Sequence, residues 1–182
     1  MVNCENLVEF IPTEPRNAFM LTCHMQDAVQ RNGFDKDTPM YQDYDFDTVN
    51  EVIEQAIWNN IALDNDFTNM KEGKVYLLLF YDKTYYELRG MLLFSLEVGT
   101  WFSKNPSRSV VEHLQLRFDK TRLSAGVSRY SVEFLKDLVK RGIVDRAIGG
   151  GSTTYQEQVK NTYLKAGYKL SYEFCYEKGQ DE

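Results

Sequence analysis

A chain of 182 residues with 43% hydrophobic and 26% charged residues has the composition of one folded domain, which excludes disordered and fibrous classes. Its net charge of -6 argues against nucleic acid as the main partner. No apolar run approaches the roughly 20 residues of a membrane helix, and Met1 to Pro12 lacks the features of a signal peptide, so we expect a cytoplasmic protein without membrane contact.

The first part of the chain predicts one strand and two helices. Leu7 to Ile11 is a short strand that Pro12 closes. A first helix follows, in which the apolar residues Leu21, Met25, Ala28 and Val29 repeat at helical spacing until Asn32-Gly33. Asp45 or Asp47 caps a second helix, whose apolar stripe contains Val49, Val52, Ile53, Ala56, Ile57 and Ile61.

The middle of the chain predicts three strands. Val75 to Tyr81 and Leu88 to Val98 are apolar and are separated by a polar turn. In the third segment, the even positions Val110, Leu114, Leu116 and Phe118 are apolar, which indicates a strand with one drier face. Glu112 is an acid in this apolar register.

The last part predicts a third helix that contains Val127, Phe134, Leu135 and Leu138 and ends at Arg141-Gly142. A short strand at Ile143 to Ile148, the run Gly149 to Thr154, a fourth helix through Tyr163 and an alternating strand at Tyr168 to Lys178 follow. This order indicates an α/β fold in one domain, residues 1–182, with a mixed sheet and helices on both faces.

The loop Lys120 to Val127 lies between a predicted strand and a predicted helix. Its amides and the positive end of the helix point toward whatever lies above the strand end. The side chains at Ser124, Ala125, Gly126 and Ser128 are small, and Lys120, Arg122 and Arg129 add positive charge. The loop therefore predicts an anion site, and the alternative is a simple turn between strand and helix.

This junction resembles the acetyl-CoA site of the GNAT N-acetyltransferase superfamily, whose signature is Q/R-x-x-G-x-G/A. Gly126 takes the first glycine position, Ser128 takes the second, and Leu123 stands where the family has Gln or Arg. The resemblance implies a mostly antiparallel sheet in which the fourth and fifth strands pair in parallel. It assigns the cofactor to Phe118, Arg122, Leu123, Ser124, Ala125, Gly126, Val127, Ser128, Arg129 and Gln156.

The stretch Tyr163 to Tyr168, YLKAGY, is similar to the Y-x-x-x-G-F of the same superfamily. There the tyrosine protonates the departing CoA thiolate, a role that the resemblance gives to Tyr163. A leaving thiolate needs a proton donor within hydrogen-bond reach, which a phenol can provide. The alternative is that Tyr163 is one more core aromatic residue among 12 tyrosines.

Glu112 lies on the strand that leads into the loop, at a distance from it that resembles that of the family's general base. An acceptor amine must lose a proton, and a partly buried carboxylate is suited to receive it. His113 is the alternative base. Either residue can instead be a satisfied polar group at the sheet surface.

Two further patterns are weaker. Asp43, Asp45, Asp47 and Glu54 have the spacing of a calcium loop, but Thr48 stands where that loop needs glycine, so no metal is expected. The run GGGSTT lacks the lysine of a nucleotide-binding loop and is interpreted as a turn. Cys4, Cys23 and Cys175 are far apart, which predicts free thiols.

The sequence thus predicts an enzyme that transfers an acetyl group from acetyl-CoA to an amine by direct attack. Residues 41–70 contain seven acids and no Lys or Arg, which favours a cationic acceptor, either a small molecule or a lysine side chain. The rival hypothesis is a binding or structural protein, such as a virion component, that keeps the fold without the chemistry. The aromatic-rich final strand leaves pairing with a partner open, including a second copy in a homodimer.

Overall fold

The computed structural model describes residues 6–32, 44–99, 106–149 and 156–169. Its strands are β1 (Leu7–Phe10), β2 (Val75–Asp82), β3 (Leu88–Val98), β4 (Arg108–Arg117) and β5 (Arg146–Ile148). Its helices are α1 (Ala18–Asn32), α2 (Phe46–Ile61), α3 (Val127–Lys140) and α4 (Gln156–Lys165). Short 3-10 turns lie at Pro15–Asn17, Phe67–Asn69 and Arg122–Ser124. From residue 170 onward, the predicted last strand lies outside the described residues.

The strands form a five-stranded sheet in the order β1-β2-β3-β4-β5. The first four strands pair antiparallel, whereas β5 pairs with β4 in parallel through Ser109, Val110 and Val111. The predicted mixed sheet and its parallel β4/β5 pair are therefore confirmed.

Each face of the sheet carries its own apolar core, because alternate residues of a strand point to opposite sides. Leu77, Leu79 and Met91 pack with α1 and α2. Leu78, Phe80 and Leu92 lie in the other core, which α3 covers. The helices therefore lie on both faces, as the sequence predicted.

A β-bulge divides β4 into two halves. Leu93 of β3 faces Leu114, but the next residue, Phe94, faces Glu112, so His113 is the extra residue. Val110 consequently packs in the core beneath α3, whereas Leu114 and Leu116 pack beneath α1 and α2. The prediction that these apolar residues share one drier face was therefore wrong, because the bulge reverses the alternation.

Helix α2 begins after Asp45, whose carboxylate accepts a hydrogen bond from the Thr48 amide at 2.8 Å. The capping role explains this residue of the calcium-like pattern; Asp43 lies outside the described residues. The buried face of α2 consists of Ile53, Ala56, Ile57 and Asn60. Val52 and Ile61 are each 41% exposed, so the apolar stripe is narrower than predicted.

Asn60 explains why the buried stripe of α2 includes a polar residue. Its amide nitrogen donates to the carbonyl of Leu77 at 2.8 Å and to the carbonyl of Pro12 at 3.1 Å. Its amide oxygen accepts from the Leu77 amide. One side chain thus ties the helix to β2, and its own polar atoms are satisfied inside the core.

Helix α3 ends as predicted, at the cap Arg141, and Gly142 follows with φ at +70°, a backbone conformation that favours glycine. The strand β5 begins only at Arg146, later than the predicted Ile143, because Ile143 and Val144 turn into the core beneath α3. Among the described helices, none has both the length and the apolar character that crossing a membrane requires.

Candidate active site

The parallel pairing of β4 with β5 ends at Val111 and Ile148 in the described residues. Glu112 is the next residue on β4, and Gly149 is the next after β5. The two residues that follow the paired segment therefore lie at the same end of the two strands.

The predicted base and the predicted acid meet at this point. The hydroxyl of Tyr163 on α4 donates a hydrogen bond to Glu112 Oε2, although the two residues are 51 positions apart. Tyr163 is 4% exposed and Glu112 is 7% exposed, so the contact is shielded from water.

The position of Tyr163 depends on the packing of α4 against α3. Its ring forms a small apolar cluster with Val132 and lies edge-on to Tyr168, with 4.8 Å between the ring centroids. The hydroxyl of Tyr168 donates to the Val132 carbonyl at 3.3 Å, and Lys136 Nζ donates to the carbonyl of Ala166. These bonds fix the end of α4 that carries the phenol.

Burial and the adjacent Glu112 carboxylate both raise the pKa of Tyr163 far above its usual value. Burial likewise raises the pKa of Tyr168, and the Glu112 and Glu133 charges add to the effect. Tyr163 therefore stays protonated at neutral pH and is a proton donor.

Gly149 leaves the space that the Tyr163 phenol occupies. A methyl group on Gly149 would overlap the hydroxyl oxygen and two carbons of the Tyr163 ring. From the sequence, Gly149 was interpreted as part of a turn that could border the ligand, without a contact to Tyr163. The remaining residues of the GGGSTT run, 150–154, lie outside the described residues.

The loop after β4 is held by Arg117. Its Nη2 atom donates to the Thr121 carbonyl at 3.2 Å and to the Ser124 hydroxyl at 3.0 Å. The Ser124 hydroxyl, which is fully buried, lies 2.9 Å from the Asp119 carbonyl. The Ser124 hydroxyl is thus bonded within the loop. Only the backbone of Ser124 is left for the predicted contact with the cofactor.

Asp119 also shapes the loop. Its carboxylate accepts hydrogen bonds from the Thr121 amide at 2.7 Å and hydroxyl at 2.6 Å, and from Arg89 Nη1 at 3.0 Å. Burial alone would raise the pKa of Asp119, but these hydrogen bonds outweigh it and lower the pKa to about 2.

The start of α3 offers amides to a ligand. The first amides of an α-helix have no acceptor within it, and among the described residues no side chain caps this end. Val127 is buried, Ser128 and Gly126 are half-buried, and Arg129 is exposed. Arg122 is also exposed, so both predicted cations are open to solvent.

Two predicted cofactor residues, Ala125 and Phe118, have backbone groups that are bonded within the protein. The Ala125 amide donates to the Arg122 carbonyl at 3.2 Å, so it belongs to the 3-10 turn. The Phe118 amide donates to the Arg89 carbonyl at 2.9 Å, and the Phe118 carbonyl accepts from Arg31 Nη2 at 3.0 Å. A ligand would therefore have to share a carbonyl that is already bonded. The side chains of Leu123 and Gln156 lie outside the described residues, although their backbones are placed.

His113, the alternative base, points away from the Glu112 and Tyr163 pair. It is exposed at the bulge, and its Nε2 atom lies 2.8 Å from the Ser95 hydroxyl, which donates to Glu97 at 2.7 Å. The structure therefore brings Glu112, and not His113, to the phenol.

A groove of about 390 Å³ lies between α3 and α4. It begins at Arg129, in the first turn of α3, and is lined by Arg129, Val132, Glu133, Thr162, Lys165 and Ala166. Two of these residues are basic, and Val132 also contacts Tyr163. The groove therefore lies beside the first turn of α3, and neither Tyr163 nor Glu112 lines it.

The sequence did not predict roles for Arg117, Arg89, Asp119 and Gly149. The first three hold the loop after β4 through contacts that form only in the folded chain, and their spacing in the sequence does not indicate those contacts. Gly149 could have been found, because a glycine directly after a strand often marks the close approach of another group.

No protein-family model matches the sequence, and no curated protein matches it. Solved structures are similar in fold. A structure described as a "probable acetyltransferase" has 10% identity and a TM-score of 0.59, over 97% of this chain and 97% of that chain. A "possible acetyltransferase" from Clostridium difficile 630 has 9% identity and a TM-score of 0.59, over 98% of this chain and 100% of that chain.

A third structure, described as a "predicted acetyltransferase with acetyl-CoA" from Clostridium acetobutylicum, has 10% identity and a TM-score of 0.55, over 95% of each chain. At such low identity, the similarity establishes the fold. The parallel β4/β5 pair, the antiparallel remainder of the sheet and these neighbours together show that the chain has a GNAT-like mixed α/β fold.

Proposed function

We propose that this protein is an N-acyltransferase that moves an acetyl group from acetyl-CoA to a primary amine. The observation that carries the proposal is the buried hydrogen bond between Tyr163 and Glu112, next to the end of the β4/β5 pairing. A proton donor and a proton acceptor in one shielded place are what amine acylation by a thioester requires.

Acetyl-CoA supplies an activated acyl group on sulfur. Glu112 accepts a proton from the attacking amine, and Tyr163 donates a proton to the CoA sulfur as it leaves. Tyr163 carries its proton at neutral pH as any phenol does, and its raised pKa means that it gives the proton up only as negative charge develops on the sulfur. Direct attack needs no covalent enzyme intermediate, so proximity and orientation supply most of the rate.

The residues around the start of α3 fit the diphosphate of CoA. The uncapped amides at Val127 and Ser128 can donate to phosphate oxygens, and the helix dipole adds positive potential. Arg122 and Arg129 are exposed beside them, and Arg117 lies under the loop. The groove between α3 and α4 begins beside Arg129 and leaves room for another part of the ligand.

The acceptor is proposed to be cationic, either a small amine or a lysine side chain. The support is the charge of α2 and its flanks, where Asp47, Glu51 and Glu54 are exposed on one helix. A negative surface raises the local concentration of cationic substrates. Initial rates with charged and neutral amines of similar size test this, and a preference for neutral amines would remove the argument.

Calorimetry with acetyl-CoA and desulfo-CoA tests the proposed function directly. We expect saturable binding of both ligands and release of free thiol when acetyl-CoA and an amine are added together. Thiol release that the Tyr163→Phe variant retains in full would contradict the role of the phenol.

A protein that keeps this fold for binding alone is the second candidate. One observation favours it: polar groups of Ser124, Ala125 and Phe118 are already hydrogen-bonded within the protein. Absence of CoA binding at millimolar concentration would support this candidate over the enzyme.

A further inference from the structure

The hydrogen bond between the two proposed catalytic side chains is not required by their separate roles as acid and base. An acid and a base that serve different atoms of a reaction need no bond to each other. Here the Tyr163 hydroxyl donates directly to Glu112 Oε2, and little water reaches either residue. A proton can therefore pass between them along an existing hydrogen bond.

We propose that Glu112 and Tyr163 form a single proton relay, and that Gly149 is the positioning residue that keeps their oxygen atoms in contact. This inference rests on the proposed function. It adds a path between the two proton transfers and a residue outside the predicted site.

The relay balances the reaction. The amine nitrogen bonds to the thioester carbon, and its proton passes to the Glu112 carboxylate. The bond between carbon and sulfur breaks, its electron pair stays on sulfur, and the Tyr163 proton passes to that sulfur. In the same step, the Tyr163 oxygen regains a proton from Glu112, so both side chains return to their first state and the products are an amide and CoA thiol.

Gly149 controls the geometry because the space beside it is filled by the phenol. Any side chain at position 149 would meet the hydroxyl and the ring of Tyr163. The other side of the ring is closed by Val132 and Tyr168, so the ring cannot move freely in that direction. A substitution at Gly149 would therefore separate the phenol from Glu112 without removing either group.

The first experiment is a double-mutant cycle on kcat with Glu112→Gln, Tyr163→Phe and both together. Each single change should lower kcat about 100-fold, which is a usual contribution of a positioned acid or base. In a relay, the loss of one member disables the other, so the double variant should be no slower than the slower single variant. A double variant whose losses multiply would overturn the relay.

The second experiment places Gly149→Ala in the wild-type and the Tyr163→Phe backgrounds. In the wild type, kcat should fall at least about 10-fold, while the KM for acetyl-CoA changes by less than about threefold. In the Tyr163→Phe background, kcat should not fall further. An equal fall in both backgrounds would overturn the role of Gly149.

Arg146→Ala is the matched control, because Arg146 is exposed on the same short strand. Its kcat and thermal midpoint should equal those of the wild type. If a site variant does not fold, a measurement on the wild type alone tests the relay. Its single-turnover rate in mixtures of light and heavy water should curve with deuterium content if several protons move together, and a straight line would overturn the relay.

The two proposals fail in different ways. A folded wild type that neither binds CoA nor releases thiol would overturn the proposed function, and the relay with it. A wild type that turns over, but whose losses multiply in the cycle, would overturn the relay and leave the proposed function standing.

Discussion

The Arg89 guanidinium and the Asp82 carboxylate form an ion pair, with 2.8 Å between Nε and Oδ2, in which the Asp82 side chain is fully buried and the Arg89 side chain is 9% exposed. Arg89 also binds Glu87 at 2.6 Å and Asp119 at 3.0 Å. One cation therefore joins the end of β2 to the loop that follows β4.

Replacing Arg89 with methionine should destabilise the protein, because the buried carboxylate of Asp82 loses its compensating charge. We expect a loss of about 2 kcal/mol in the free energy of unfolding, below the ~3–5 kcal/mol of fully enclosed pairs because Glu87 and Asp119 are partly exposed. Urea denaturation measures it. The control is Arg16→Met, which breaks the exposed pair with Glu14 and should cost less than about 1 kcal/mol.

Gly90→Ala should disturb the contact between β3 and the start of α3. A Cβ atom at position 90 would lie 2.5 Å from the Leu116 carbonyl oxygen and 2.8 Å from Val127 Cγ1. Since backbone must then shift, we expect a loss of about 1–3 kcal/mol in thermal or urea unfolding. Gly126→Ala is the comparison, because its Cβ would meet only the Leu7 side chain, at 3.2 Å, and should cost less. Equal losses at the two positions would contradict the backbone argument.

Arg117→Met should weaken acetyl-CoA binding by about 10-fold, since the loop would lose its bonds from the guanidinium to Thr121 and Ser124 and the site would lose a cation. Titration calorimetry measures the effect. Arg141→Met removes the same charge at the other end of α3 and should leave the affinity unchanged. Equal weakening by both variants would indicate a general effect of net charge.

Asp119 should make the stability depend on pH in the acid range. Its pKa is about 2 in the folded protein and 3.8 ordinarily, so the folded state favours the charged form. The stabilisation is therefore complete above about pH 4 and is lost as the pH falls toward about 2. Urea midpoints from pH 5 to pH 2 should fall more steeply for the wild type than for Asp119→Asn. Parallel curves would show that Asp119 does not contribute.

The sequence predicted the architecture because local patterns carry it. The apolar runs of β2 and β3 and the helical spacing of Leu21, Met25 and Ala28 depend only on near neighbours. The bulge at His113 left no such signal, since its extra residue is fixed by pairing with β3. The exposure of Val52 was missed for a similar reason, because the width of a buried face depends on what packs against it.

The candidate site was predictable in part. Motif resemblance singled out Glu112 and Tyr163 separately, and their contact follows only from the packing of α4 against α3. The role of Arg117 could not be predicted, because its partners, Thr121 and Ser124, approach it only after the loop turns back. Such contacts depend on the path of the chain in three dimensions, which residue spacing does not encode.

The extra residue at His113 determines which side of the sheet the residues on either side of it face. On a strand without a bulge, residues five apart, such as Glu112 and Arg117, would point to opposite sides of the sheet. With it, Glu112 reaches α4 while Arg117 reaches the loop before α3. Removing this one residue would leave Glu112 and Arg117 four positions apart on a regular strand, so both would keep their side of the sheet. Inserting a residue between Leu114 and Arg117 would instead turn Arg117 toward the apolar layer beneath α1 and α2, so β4 should tolerate loss of His113 better than such an insertion.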